Sequence, residues 1–511
     1  MSKMNRRHFL KAAGLGGMAL VLPRTLLAGT RALAGTRPNI ILIMTDDQGY
    51  GELACHGNPI IKTPNLDQLH KESIRFTDFH VSPTCSPTRA SLMTGRHEFR
   101  SGVTHTINER ERLSLKATTV AQVLKAAGYA TGIFGKWHLG DEDACQPNRR
   151  GFDEVFIHGA GGIGQTYPGS CGDAPGNTYF NPAILHNGMF VKTDGFCTDV
   201  FFTQATKWIG DQSKKDVPFF AYIVPNAPHG PYVCPEAYKK PYLDADLSDP
   251  DAAYYGMITN IDDNVGRLMK DLIQADLDKR TLVIFLTDNG HARGNLYNAG
   301  MRGSKGGPYQ GGTRVPAFFR WAGTLPTGVD IDKLAAHIDL FPTLAELTGA
   351  RIPNVVKLDG RSLVPLLRDP NADWPDRYVF VHQGRWAKGM AAQSKYKSCA
   401  VRNSQFRFVN NGELYDIKSD PGETTNVIAQ HPDVVEKMRK AYDQWWEEVL
   451  PAMENEDAVG PKVNPFKERY WKQFGGGPDE QLRKRMDPTG TGGQAENNAP
   501  KAKKSRKKQA P

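Results

Sequence analysis

Four runs of consecutive apolar residues, each stopping at a polar cluster, constrain this chain more than any other feature. Asn39-Ile40-Ile41-Leu42-Ile43-Met44 runs into Thr45-Asp46-Asp47, and Ala130-Thr131-Gly132-Ile133-Phe134 into Gly135-Lys136-Trp137-His138. Pro218-Phe219-Phe220-Ala221-Tyr222-Ile223-Val224 leads to Pro225-Asn226-Ala227-Pro228-His229, and Thr281-Leu282-Val283-Ile284-Phe285-Leu286 to Thr287-Asp288-Asn289-Gly290. Unbroken β-branched and aromatic runs suit strands covered on both faces of a parallel sheet, where alternation would mark a half-exposed strand. Helical patterns lie between them. Thr63-Pro64 opens one as N-cap and first helical residue, Thr118–Ala127 gives another that stops at Gly128, and Met257–Ala275 a third. Alternating strands and helices predict an α/β sandwich with a large, mostly parallel sheet between helices. Ligands in such folds sit outside the carboxyl ends of the strands, where all four polar clusters fall.

Past residue 370 the texture changes. Tyr378–Val381, Cys399–Arg402 and Phe406–Val409 read as short strands joined by polar turns, and Pro432–Val449 as a helix. The expectation is a smaller C-terminal α+β subdomain with a short antiparallel sheet. The predicted organisation is therefore 1–34, a main α/β domain 35–370, a subdomain 371–474, and a tail 475–511 rich in Gly, Pro, Lys and Asn.

The two ends carry their own signals. Asn5-Arg6-Arg7-His8-Phe9-Leu10-Lys11 is a twin-arginine pattern, followed by an apolar stretch to Leu22 and by Ala32-Leu33-Ala34, a cleavage candidate. The stretch is too short to span a bilayer and is broken by Pro23 and Arg24. Residues 1–34 are expected to be a removable export signal, placing the mature chain in the periplasm or outside the cell. The net charge of +9 owes much to the segment 501–508, so it argues poorly for a nucleic-acid surface, and no nucleic-acid partner is expected. Seven cysteines in an exported chain leave at least one outside intramolecular pairing, and the lack of a Cys-x-x-Cys motif argues against a zinc ribbon. The sequence sets no oligomeric state.

The clusters point to chemistry. Asp46-Asp47 and Asp288-Asn289 offer three carboxylates and an amide oxygen, hard donors that suit Ca²⁺ or Mg²⁺ rather than zinc. Each pair alone is explained as well by a solvated turn or helix cap; their shared placement after a Thr at a strand end favours a metal. Cys85-Ser86-Pro87-Thr88-Arg89 precedes an apolar helical stretch. Pro87 fits a helix start, and Cys85 and Arg89, four apart, share a face. Lys136, His138, His229 and Lys305 add cations and groups that exchange protons near neutrality.

These stretches together resemble the formylglycine-dependent sulfatases, an arylsulfatase-like family within the alkaline phosphatase superfamily. The likeness is carried by Asn39–Gly51, Cys85–Arg89 with Ser91–Arg96, Gly132–Gly140, Ala227–Pro231, Thr287–Gly290 and Gly303–Lys305, and spans about Arg37 to Val449. It implies an alkaline-phosphatase-like sandwich and a sulfatase. It further implies that a cytoplasmic maturation enzyme oxidises Cys85 to formylglycine before the twin-arginine translocase exports the folded chain. By the same resemblance Asp46, Asp47, Asp288 and Asn289 hold Ca²⁺, in preference to Mg²⁺, against residue 85. Arg89 and the metal favour an alkoxide on the hydrated aldehyde, Lys136 and Lys305 neutralise the sulfate oxygens, His229 protonates the departing alcohol, and His138 takes the proton whose loss expels sulfate. One departure is Gln310, where the family usually has glutamate, and its expected effect is on local packing.

The expected substrate is a sulfated carbohydrate, with an aryl sulfate as second choice. Trp137, Tyr167 and Tyr179 are candidates to stack on sugar rings. The glycines of His158–Gln165 fit either close approach to a ligand or a tight loop. Two alternatives remain: a phosphomonoester or phosphonate-ester hydrolase of the same superfamily, and a non-catalytic glycan-binding protein with Cys85 unmodified.

Overall fold

The computed structural model describes residues 33–477 except 166, 168, 216 and 462. Nearly all of the expected export signal and of the expected tail lies outside the described residues. From Ala34 onward the described residues fall in one compact unit.

Its strands are β1 (Asn39–Thr45), β2 (Ile74–Phe76), β3 (Phe79–His80), β4 (Ala130–Lys136), β5 (Glu154–His158), β6 (Ala183–His186), β7 (Met189–Lys192) and β8 (Phe219–Val224). They continue with β9 (Thr281–Thr287), β10 (Ala317–Arg320), β11 (Val329–Ile331), β12 (Ala335–Ala336), β13 (Val379–His382), β14 (Cys399–Arg402), β15 (Phe406–Val409) and β16 (Glu413–Asp416). Ten of them form one sheet in the order β11-β2-β10-β9-β1-β8-β4-β5-β6-β7. The four apolar runs are its centre: β9, β1, β8 and β4 are mutually parallel neighbours, and β5 extends them in parallel. Antiparallel pairing appears only toward the edges.

The unbroken apolar runs are explained by what covers them. Ile41, Ile43, Ala221, Ile223, Val283 and Phe285 pack against the helices Cys197–Ser213 and Asp249–Gln274 in one core. The alternate residues Ile40, Leu42, Leu282 and Ile284 are also fully buried, so neither face meets water. The helix predicted from Met257 begins earlier, at Asp249, because Ser248 and the Pro250 turn start it before its apolar stripe does. The helix Val120–Ala126 has Thr119 as cap, its hydroxyl accepting from the Gln122 amide in a capping box. Thr63 precedes its helix as expected but does not cap it; its hydroxyl donates instead to Asp67.

The C-terminal part is the expected antiparallel sheet, β13-β14-β15-β16. Alternation sorts its residues. Cys399, Val401, Phe406 and Phe408 pack on Trp445, Trp446 and Tyr442 of the helix Pro432–Val449. Ala400, Val409 and Tyr415 face the other way, toward Tyr309. This second face carries a buried ion pair of its own, and both members bond to the main body at residues 308 and 310. Arg407 Nε stands 3.1 Å from Glu423 Oε1, both fully buried, while Arg407 Nη1 donates to Pro308 O at 2.7 Å. Glu423 Oε2 accepts from the Gln310 amide at 2.8 Å, and Gln310 Oε1 lies 3.4 Å from Arg407. Gln310 therefore acts in packing, as expected, and Glu423 supplies the carboxylate that answers Arg407.

Removing one partner of a buried ion pair leaves the other uncompensated, at a cost of about 3–5 kcal/mol. Arg407→Ala is expected to lower unfolding stability by that amount in urea titrations, and Arg407→Ala with Glu423→Gln to recover part of it. A change below about 0.5 kcal/mol for the single variant, the range of ordinary surface substitutions, would show that the pair does not fasten the small sheet.

Candidate active site

The carboxyl ends of β1, β4, β8 and β9 converge. Backbone bonds tie them together: the Asp46 amide donates to Ala227 O at 3.1 Å, and the Asp288 amide to Thr45 O at 3.0 Å. Asp47 follows with φ 69°, a left-handed conformation rare for a non-glycine residue, and its amide donates to Asp288 Oδ1 at 3.0 Å. Gly135, just before Lys136, has φ 126°, and a Cβ there would lie 2.0 Å from Val224 O. Only glycine lets β4 run this close to the end of β8.

Cys85 is the first residue of the helix Cys85–Thr94, every residue of which is buried. Four residues on, Arg89 donates to Asp288 Oδ2 at 3.1 Å and to Lys136 O at 3.0 Å, and its guanidinium is 3.7 Å from Asp46. Lys136 is the last residue of β4 rather than a loop residue, fully buried, with its ammonium 2.5 Å from Asp46 Oδ2. Lys305 reaches in from the glycine-rich loop to Asp47 Oδ1 at 2.5 Å. Asn289 Nδ2 donates to the same oxygen at 3.0 Å. Three carboxylates thus face three cations in a space shielded from water.

Ligand atoms of Asp46, Asp47, Cys85 and His229 lie within 4.8 Å of one another. Asp46 Oδ1 and Asn289 Oδ1 are buried with no hydrogen-bond partner among the described residues. Buried polar atoms usually have a partner, so two free oxygens in one acidic pocket leave donors open to a cation. The donors fit a hard divalent ion. Asp288 and Asn289 join the group through their bonds to Asp47, and all of the predicted site residues are brought together.

Burial pushes the Asp288 carboxyl up, to about 7, and the charge of Asp46 beside it adds to the rise against the pull of Arg89. Burial also acts on Asp47, but the Lys305 and His229 charges outweigh it and hold this carboxyl well below its usual range. The Lys305 ammonium is held charged: burial opposes it, and Asp47 more than compensates.

The two histidines differ in their exposed nitrogen. His138, left-handed at φ 54°, donates from Nε2 to Thr106 O at 2.9 Å, which leaves Nδ1 buried with a free lone pair. Burial and then the Lys136 charge keep it neutral. His229 donates from Nδ1 to Gly230 O at 2.8 Å, so Nε2 faces the pocket, 3.8 Å from Asp47 Oδ2. Burial lowers His229 to about 4, with Asp47 opposing.

Gly161 and Gly162 resolve the question of the glycine loop. A Cβ at Gly161 would stand 2.8 Å from His138 Cε1, and one at Gly162 2.9 Å from His229 Cε1. The loop packs its bare backbone on both imidazoles. Of the three aromatic residues considered for stacking, two are excluded. Trp137 is buried with its indole donating to Cys145 O, and Tyr179 is buried with its hydroxyl 2.5 Å from His229 O. Tyr167 is 49% exposed and remains available. Tyr179 and Thr106 support the histidines, and sequence reasoning missed them in that role because their partners lie tens of residues away and no spacing signals the contact; Asn226, three residues before His229, accepts from its amide at 3.0 Å. All seven cysteines are unpaired in the structure.

The chain matches the sulfatase family over residues 38–350 and the C-terminal region of N-sulphoglucosamine sulphohydrolases over 305–448. It is 34% identical to human arylsulfatase A, covering 82% of this chain and 90% of that one. It is 29% identical to mouse N-acetylgalactosamine-6-sulfatase over 83% and 84% of the two chains. Among solved structures it is similar to Ps i-CgsB, with TM-score 0.73, 28% identity, and coverage of 85% of this chain and 97% of that one. Another structure of Ps i-CgsB is a complex with k-i-k-neocarrahexaose. A phosphonate monoester hydrolase of Agrobacterium radiobacter shares the fold alone, at TM-score 0.56 and 23% identity over 82% and 96% of the chains. With this fold and these matches, the chain belongs to the sulfatase family of the alkaline phosphatase superfamily and is a sulfuric ester hydrolase.

Proposed function

We propose that this sulfatase removes sulfate from a sulfated carbohydrate, using a formylglycine made from Cys85 and a Ca²⁺ ion held by Asp46, Asp47, Asp288 and Asn289. The observation that carries this reading is the pair of orphaned oxygens, Asp46 Oδ1 and Asn289 Oδ1, in the acidic pocket that Cys85 enters at its helix N-terminus. Ca²⁺, when bound, supplies positive charge that polarises the sulfate ester and lowers the cost of an anionic oxygen at residue 85. The formyl group would give that residue a hydrated carbonyl, an oxygen nucleophile no unmodified thiol provides.

The remaining chemistry belongs to the side chains around the pocket. Lys136 and Lys305 are ion-paired to the carboxylates at 2.5 Å, and they are placed to turn toward sulfate oxygens when a cation takes over those carboxylates. Arg89, pinned between Asp288, Asp46 and Lys136 O, keeps positive charge beside residue 85. His229 Nε2 faces the pocket and serves as proton donor to the leaving alcohol. An anionic sulfate next to it raises its affinity for that proton, against the burial that lowers it in the free chain. His138 Nδ1, an unshared lone pair in a dry site, takes the proton from residue 85.

The carbohydrate assignment is supported by the likeness to the mouse N-acetylgalactosamine-6-sulfatase and by the oligosaccharide held by Ps i-CgsB. Exposed Tyr167, beside the glycine loop, gives a sugar ring a surface to stack on. The twin-arginine pattern supports export of the chain already folded, to the periplasm or beyond.

Four measurements test these roles. Calorimetric titration should show Ca²⁺ binding to the native chain, tighter than Mg²⁺, and its loss in Asp46→Asn with Asn289→Ala; unaltered binding by that variant places the ion elsewhere. Mass spectrometry of native protein should find the peptide bearing residue 85 lighter by about 18 Da, the replacement of CH₂SH by CHO at an oxidisable thiol. Cys85→Ala should bind sulfate esters without turnover, and turnover by it would refute the nucleophile. Finally, His229→Ala should slow sugar sulfates by about 10²–10⁴-fold, the usual worth of a positioned acid, and 4-nitrophenyl sulfate far less, because that leaving group needs no proton. Equal losses on both substrates would remove His229 from the acid role.

A further inference from the structure

A second cluster of ligand-type side chains lies outside the catalytic pocket. Cys55 and His56 sit on the short 3-10 turn Ala54–His56, and His70 is in the last turn of the helix Pro64–Lys71. A Cys55 sulfur and one nitrogen from each histidine fall within 4.8 Å of one another. All three residues are partly exposed, so an ion has a way in. We propose that Cys55, His56 and His70 form a second metal site, specific for a borderline-soft divalent ion such as Zn²⁺.

The surroundings hold these donors ready. His56 stacks on Tyr50 with centroids 3.9 Å apart and donates from Nδ1 to Tyr50 O at 2.7 Å, so its Nε2 carries the lone pair. A carbonyl partner on the far nitrogen is the usual support of a metal-bound imidazole. Arg75 Nη1 approaches His70 Nδ1 at 3.4 Å, a long contact that leaves this nitrogen an acceptor. The same arginine is already engaged with Asp330 at 2.6 Å and with Gly328 O at 3.0 Å, so its charge is offset and an ion displaces little. The Cys55 amide is fixed by Asp67 Oδ1 at 3.0 Å. Phe318 lies edge-on to both histidine rings and walls the inner side.

The donor set decides the ion. One thiolate and two imidazoles are wrong for Ca²⁺ or Mg²⁺, which take oxygen, and right for Zn²⁺. Zn²⁺ ligands at about 2.0–2.3 Å from the metal stand about 3.3–3.8 Å apart, so modest side-chain rotation closes the present spacing. Binding releases the thiol proton to solvent and leaves a fourth position for water. The turn lies eight residues after Asp47, so an ion there clips the segment leaving β1 to the helix Pro64–Lys71.

The test uses Zn²⁺ and Co²⁺ alone on the full chain, in a Cys85→Ala background that removes the thiol grouped with Asp46, Asp47 and His229. After EDTA treatment and equilibrium dialysis, the parent should hold one more zinc per chain than Cys55→Ser with His70→Gln, and zinc should raise its melting temperature by more than that of the variant. Co²⁺ should give a thiolate-to-metal charge-transfer band in the parent only. Equal zinc content in both, or no such band, overturns the site. His70→Gln alone, which leaves Cys55 in its packing, repeats the comparison where the double variant fails to give a cooperative melt.

Discussion

Three carboxylates and three cations confined to one dry pocket govern the rest of this structure. Asp46, Asp47 and Asp288 cannot all remain ionised at the ends of adjacent buried strands without compensation. Lys136, Lys305 and Arg89 supply it, each from a different part of the chain. The balance is close enough that Asp288, between its neighbour Asp46 and Arg89, is pushed into the neutral range. A divalent ion would satisfy the carboxylates and the two orphaned oxygens at once. It would also free the two ammonium groups for a sulfate. On the proposed mechanism the same charges would serve the resting fold and the reaction, in different pairings.

The pocket depends on supports far from it. Gly135 allows β4 to deliver Lys136, and the bare backbone of Gly161 and Gly162 allows a loop to close over His138 and His229. Tyr179 fixes the backbone at His229, and Thr106 selects the tautomer of His138. The C-terminal sheet contributes at one remove. Arg407 and Glu423 anchor it to Pro308 and Gln310, in the loop region that also carries Lys305. Rigid placement of such groups is what makes electrostatic stabilisation effective, because they need not reorganise as charge develops.

Much of this was legible in order along the chain. Strands buried on both faces need continuous apolar residues, and the polar cluster after each run marks the sheet edge where a site forms. The runs at 39–44, 130–134, 218–224 and 281–286 became the four central strands within a residue or two at each end. Helix starts were less legible. Thr63 has the residue type of a cap but spends its hydroxyl on Asp67, and the helix ahead of Met257 begins at Asp249, before its apolar stripe. Trp137 and Tyr179 show the limit for aromatics, since the same residue types serve a sugar face or a core and only burial distinguishes them.

The sequence by itself determined the sheet, the site's chemical inventory and the family, because these rest on local periodicity and on motifs whose members stand close together. It did not determine which nitrogen of each histidine faces the pocket, which lysine holds which carboxylate, or that Cys55, His56 and His70 meet beside Tyr50. Those are contacts between residues up to hundreds of positions apart, fixed by how the strands and helices pack, and only the tertiary structure decided them.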